Sequence, residues 1–265
     1  MLHVAAEELR AIFDQDAELY DRARPSYPYR LISDLAELAE IGPGTRLAEV
    51  GPGTGQATAA LTARGAHVVC VELGTKLSAV LYRKLVRTSV EVVVSAFEDW
   101  PLPKQPFDAL CAFTAWHWLD PDVRTIKAAA ALRSGGALAT VTTAHVLGGT
   151  DAFFADAQIC YQRWDPATHQ AQNVPTVEAV PAAVDEVDAS ELFLPAIRRR
   201  YQREITYTTS RYLDLLRTYS GHRALDPDRH RCLLACVAEL IDHKYGGTIV
   251  KRYLYELRVA RKRPT

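Results

Sequence analysis

The chain has 265 residues, 48% of them apolar and 24% charged, with a formal net charge of -1. That length can bury one large core, and the near-neutral balance argues against nucleic acid as the main partner, although AIRRRYQRE (196 to 204) and the tail VARKRPT are locally basic. The opening MLHVAAEELRAIFDQDAELYDRA carries a charge every few residues, so neither a signal peptide nor a membrane span is expected, and the chain reads as a soluble cytoplasmic protein.

Short β-branched runs alternate with helical patterns. TRLAEV (45 to 50), HVVCVEL (67 to 73), VEVVVSA (90 to 96), FDALCAF (107 to 113) and GALATVTTA (136 to 144) read as strands. The segments between them are long enough for helices, the pattern of βαβ units and of a parallel sheet covered on both faces. A first helix is expected from near Gly55 to a stop at Gly65. Another follows the cap and first-turn pair Asp120-Pro121 and ends at Ser134-Gly135-Gly136.

Beyond about residue 147 the rhythm changes. DAFFADAQICYQRW reads as a helix and 165 to 190 as irregular, followed by a strand over 196 to 208, two helices, and a last strand over 247 to 261. In the second of those helices Leu233, Leu234, Val237, Leu240 and Ile241 form one apolar stripe. The five cysteines, Cys70, Cys111, Cys160, Cys232 and Cys236, are odd in number and set in apolar surroundings, which suits reduced thiols. Cys232 and Cys236 lie one helical turn apart near His230 and His243, but no zinc-type spacing exists and no metal is expected.

The stretch LAEVGPGTGQ (47 to 56) places three glycines at alternate positions after an apolar run that ends in a carboxylate. Strand, glycine-rich turn and helix let a ligand approach a helix N-terminus closely. A dinucleotide turn reads G-x-G-x-x-G, whereas here Gln56 stands where the third glycine would be, which weighs against a nicotinamide-dependent oxidoreductase. Glu72 ends the second strand run 23 residues past Glu49, placed for a carboxylate that accepts hydrogen bonds from ribose hydroxyls; a harmless strand-end acid is the alternative.

Glu49-x-Gly51-x-Gly53-x-Gly55 resembles the first motif of the class I S-adenosylmethionine-dependent methyltransferases. Glu72, then Ala96-Phe97-Glu98, then TAWHWLDP and ALRSGGALATV fall where that family places its later motifs, over about residues 15 to 146. The resemblance implies a Rossmann-like seven-stranded α/β fold with an α-helical cap, five parallel strands and a last strand running antiparallel. It implies a single domain over 1–265: a cofactor-binding core at 31–146, cap elements at 1–30, 147–190 and 209–245, and C-terminal strands at 191–208 and 246–265. The cofactor would be S-adenosylmethionine, leaving as S-adenosylhomocysteine. Glu49, Gly51, Gly53, Gly55, Glu72 and Thr114 would face it, with Leu73, Ala96 and Phe97 as apolar walls for adenine. Family members often carry an acid at the position of Ala96, so that contact is absent here or made by backbone or Glu98. The segment AELYDRARPSYP resembles the lead-in of the trans-aconitate-like group, which would set Tyr20 and Arg24 toward the methionine moiety.

Methyl transfer from a sulfonium is an in-line displacement that alignment and exclusion of water accelerate, and a base is needed only for a protonated acceptor. His117 is positioned as that base or as a shaping residue, and Trp116 and Trp118, if the segment is extended, share the opposite face. His222 is a second candidate for substrate contact and His145 a third. The expected reaction is methylation of O, N or S on a small molecule, with no nucleic-acid or membrane partner. A cofactor-binding regulatory protein without turnover is the alternative from another class.

Overall fold

The computed structural model describes residues 13–166 and 174–264. Seven strands, β1 (Arg46–Val50), β2 (His67–Glu72), β3 (Val90–Val94), β4 (Phe107–Phe113), β5 (Leu132–Gly149), β6 (Ile197–Thr208) and β7 (Thr248–Arg261), form one sheet in the order β3-β2-β1-β4-β5-β7-β6. The pairs β1 with β2, β1 with β4, β2 with β3 and β4 with β5 are all parallel. β7 runs against β5: Lys262 N–H bonds to Gly136 O at 2.8 Å and Thr150 N–H to Val250 O at 2.9 Å, so partner numbers fall as β5 advances.

The burial of each strand explains its place. β1, β2 and β4 are almost entirely buried, as strands covered on both faces must be. The edge strand β6 is arginine-rich, and its charges discourage pairing with another sheet. Arg198, Arg199 and Arg200 bond to Asp188, Asp34 and Glu256, so the basic run is a solvated, ion-paired edge.

The chain divides into two compact units. The first comprises residues 25–143, 182–201 and 255–264, and packs Tyr29–Leu38, Thr58–Thr62, Thr75–Leu85 and Pro121–Ala131 with its strands. Asp120 caps the last of these by accepting from Asp122 N–H at 2.9 Å, with Pro121 in the first turn. That helix ends earlier than its sequence suggests. Leu132 already pairs with Phe107, and Gly135 and Gly136 lie in an irregular start of β5 instead of forming a helix stop. Within the irregular stretch, 167–173 fall outside the described residues, and Glu186–Ala189 is a short helix with an Asp185 capping box. Asp185 also meets Arg258, which is 3% exposed and donates to both Asp185 oxygens at 2.6 and 2.9 Å, to Asp188 and to Thr140.

The second unit comprises the described residues of 13–24, 144–181 and 202–254. DAFFADAQICYQRW is two helices, Asp151–Asp156 and Gln158–Trp164, instead of one. Pro227–Lys244 buries Leu233, Leu234, Val237 and Ile241, with Leu240 at the border of the stripe. The expectation of five reduced thiols is overturned here. Cys160 and Cys236 form a disulfide with Cα atoms 5.8 Å apart, because packing brings together helices separated by 76 residues in sequence. Cys70, Cys111 and Cys232 are free. Among the described residues no helix is long and apolar enough to cross a membrane, and no group of three or more His, Cys, Asp or Glu could hold a metal ion.

Candidate functional site

The sheet order reverses between β1 and β4: the chain leaves β1 toward β2 and β3, then returns to β4 on the other side. In an open α/β sheet the crevice outside the carboxyl ends of such strands is where ligands bind. Both motif-bearing turns leave from there, Gly51 to Gly55 after β1 and Thr114 to Trp118 after β4.

Gly51, Gly53 and Gly55 all have left-handed backbone, with φ of +62°, +60° and +87°. A Cβ at Gly51 would stand 2.7 Å from that of Ala115, so the two turns approach closely only because this position is bare. Glu72 fastens the arrangement. Its two carboxylate oxygens accept from Gly53 N–H and Gly74 N–H, each at 2.9 Å, with the side chain 7% exposed.

Glu49 is 1% exposed, and its Oε2 is buried with no hydrogen-bond partner among the described residues. Burial pushes its carboxyl up to about 7; a hydrogen bond with Thr58 opposes this and the negative charge of Glu72 adds to it. An orphaned acceptor directly before three bare glycines is what a ligand with a positively charged donor would fit.

Thr114 takes φ +55°, unusual for a β-branched residue and a strain of about 1–3 kcal/mol. The turn is held by Thr114 N–H to Val141 O at 2.7 Å, and its hydroxyl meets Thr143 at 3.0 Å and the Tyr27 hydroxyl at 3.2 Å. The strained turn leads into a 3-10 turn at Trp116–Trp118, so the segment is not extended and the tryptophans do not share a face. Trp116 is 4% exposed, donates to Asp185 at 3.0 Å and packs under the Arg124 guanidinium. His117 is exposed, with the half-buried Trp118 ring centred 5.1 Å from its own. The surrounding protein and the Arg124 charge hold its pKa below the ordinary histidine value.

The residues expected around adenine differ in their settings. Leu73 is 39% exposed at the end of β2, Ala96 is half-buried, and Phe97 is 1% exposed, packed in the core beside Trp100. Glu98 accepts from Asp120 N–H at 3.0 Å and so ties this turn to the helix of Pro121–Ala131.

In the second unit, the Arg24 guanidinium lies over the rings of Tyr20 at 4.9 Å and Tyr219 at 5.0 Å and donates to Thr218 O at 2.9 Å. His222 bonds the Tyr161 hydroxyl at 3.1 Å, and burial, with the nearby His230, brings its pKa down to about 4. His145 packs on Phe154 at 4.2 Å, its pKa brought down to about 3 by burial and by Lys251. Four residues that the sequence did not single out belong to these settings: Tyr27, Thr58, Tyr219 and Lys251. No spacing signal marks them, since each reaches its partner through tertiary packing.

A doubly wound sheet with a glycine turn at its switch point, an acid at the end of β2 and an acid before the turn defines a Rossmann-like fold of the class I methyltransferase type. Residues 48–140 match a family model described as a methyltransferase domain. It is 36% identical over 127 residues to an uncharacterized methyltransferase of Mycobacterium bovis and, equally, to one of Mycobacterium tuberculosis, covering 46% of this chain and 48% of each relative. The chain thus spans about half the length of the curated relatives it matches. Among solved structures, a protein of Anaeromyxobacter dehalogenans assigned as a type II methyltransferase is similar with a TM-score of 0.59 and 23% identity, over 91% of this chain and 99% of that one. A Haemonchus contortus phosphoethanolamine N-methyltransferase, solved with phosphomonomethylethanolamine and S-adenosylhomocysteine, is similar with a TM-score of 0.52 and 15% identity, over 95% of this chain and 58% of that one.

Proposed function

We propose that this protein is an S-adenosylmethionine-dependent methyltransferase that methylates O, N or S of a small molecule. The observation that carries the reading is the pairing of the bare, left-handed turn at Gly51, Gly53 and Gly55 with the partnerless oxygen of Glu49 immediately before it. The match of residues 48–140 to a methyltransferase domain supports it, as does the fold relative solved with S-adenosylhomocysteine.

When bound, the cofactor supplies an electrophilic methyl group that a nucleophile displaces from sulfur. The residues of the chain would divide the rest. Glu49 would accept from the ammonium of the amino-acid end, which its deprotonated form favours. Gly51, Gly53 and Gly55 would let the ligand lie against the backbone, and Glu72 would hold that backbone while its remaining lone pairs turn to the ribose. His117 would take a proton from a hydroxyl or phenol acceptor, and its lowered pKa keeps the ring neutral, hence able to accept, at neutral pH.

Thermal denaturation with each ligand tests this. S-adenosylhomocysteine should raise Tm and NADH should not, since a ligand stabilises a fold only by binding the native state preferentially. A rise with NADH alone overturns the assignment.

A further inference from the structure

Lys251 lies in β7 and is 7% exposed. Its Nζ donates to the Tyr219 hydroxyl at 3.4 Å and stands over the rings of Tyr219 at 5.6 Å and Tyr253 at 5.2 Å. Arg24 approaches the same Tyr219 ring, and its Nε is buried with no partner among the described residues. Both cations belong to one compact unit, and among the described residues neither forms an ion pair with a carboxylate. Asp165, a buried acid of the same unit, acts on His222 and Tyr161.

A buried ammonium with no counter-charge is costly, and ring faces and one phenol offset only part of that cost. Other buried cations of this chain are compensated in full: Arg258 meets Asp185 and Asp188, and Arg124 meets Glu186. What the Lys251 cluster lacks is an anion with acceptor oxygens. Burial raises the Tyr219 hydroxyl, but Lys251 and Arg24 bring it below the ordinary phenol value, a sign of how positive this spot is.

We propose that Lys251, Arg24 and the Tyr219 hydroxyl form a binding site for an oxyanion, the carboxylate or phosphate of a small molecule. A carboxylate or phosphate would take charge-assisted hydrogen bonds from Nζ, the guanidinium and the phenol, while the aromatic side chains around them would pack its apolar body.

Calorimetric titration of the full chain with benzoate, phenyl phosphate and, separately, S-adenosylhomocysteine decides the matter, using wild type, Lys251→Met, Lys251→Arg and Tyr219→Phe. At least one aryl anion should bind wild type, and which of the two binds better assigns carboxylate or phosphate. Lys251→Met should weaken it by about tenfold or more, Lys251→Arg should keep most of the affinity, and S-adenosylhomocysteine should change little in either. Tyr219→Phe, which keeps the ring and removes one donor, gives the same comparison if Lys251→Met does not fold. The proposal is overturned if neither anion binds wild type. It is equally overturned if Lys251→Met loses S-adenosylhomocysteine instead, because the carboxylate served would then be the cofactor's own. Ultraviolet titration showing Tyr219 ionised at neutral pH without added anion also overturns it, since the phenolate would be the missing charge. A wild type that binds the aryl anion but not S-adenosylhomocysteine sinks the methyl-transfer reading and leaves the anion site standing.

Discussion

Glu72 accepts the Gly53 amide at 2.9 Å, so the end of β2 holds the turn that follows β1. The same carboxylate accepts Gly74 N–H, and the acid expected to serve a ribose also braces the backbone beneath it. Glu72→Ala should therefore lower two quantities together: stability by about 2–3 kcal/mol, as one buried and one half-buried amide lose a charged acceptor, and S-adenosylhomocysteine affinity by about tenfold or more. Urea denaturation and calorimetry check them separately. A loss of stability with unchanged affinity would make Glu72 a brace alone.

Gly51→Ala probes the close approach of the two turns. An added methyl meets Ala115 Cβ at 2.7 Å while the residue is forced to hold φ +62°. The expected destabilisation is about 2–4 kcal/mol, from left-handed strain and overpacking together. Gly42→Ala is the control, since a Cβ there has open space and φ is not positive. Equal stability of the two variants in urea would mean that the turns yield easily.

Glu49 sets a pH dependence. Its carboxyl titrates near 7 in the folded chain against 4.5 for the ordinary group, because burial disfavours the charge. Between these values the folded state keeps a proton that the unfolded state has lost, so stability falls as pH rises from about 4.5 to 7 and then levels, with a total of up to about 3 kcal/mol. Glu49→Gln should remove that slope and be the more stable protein at pH 8. Binding of a cationic amino-acid ligand near pH 6 should release a proton in wild type and none in the variant, which calorimetry in buffers of different ionisation enthalpy measures.

The strands and the glycine turn were legible because their signals are local: short β-branched runs, glycines at alternate positions and an Asp-Pro helix start all act over a few residues. What tertiary contacts decide was not. The Thr114 turn is one case, since a β-branched residue gives no hint of left-handed backbone, and the Val141 and Thr143 partners on β5, with the Tyr27 hydroxyl, hold it there. The Trp116 and Trp118 arrangement inherits that turn. Lys251 is another case, for a lysine in a strand run reads as a solvated position until its aromatic neighbours are in place. The role of Phe97 is split in the same way: its position in the motif points to a ligand wall, while its ring fills the core.

The Cys160–Cys236 bridge closes a separation of 76 residues. Thiol titration of the unfolded, unreduced chain should count the three free cysteines, and the reduced chain five. Cys236→Ser, measured without reductant, should lower stability by about 2–4 kcal/mol through the gain in freedom of the unfolded chain. Five reactive thiols before reduction would restore the reading of a fully reduced protein.

His117 is the remaining test, and its geometry sharpens it. The ring is exposed, set beside Trp118, and its pKa is held below the ordinary histidine value by the protein around it and by Arg124. If it accepts a proton from a hydroxyl or phenol during transfer, the single-turnover rate should fall only at pH below the usual histidine range. His117→Asn should lose about 10²-fold or more while keeping S-adenosylhomocysteine affinity, with partial recovery at high pH as the acceptor ionises by itself. A positioning role gives a different signature: a smaller loss, seen mostly in acceptor KM, and little recovery with pH, because what is missing is geometry and not proton affinity. Arg124→Met separates the two further. Removing that charge should move the acid limb of the wild-type profile toward higher pH if His117 is the base, and leave it in place if His117 only shapes the turn. A variant that turns over a good acceptor at the wild-type rate at every pH would remove His117 from the chemistry.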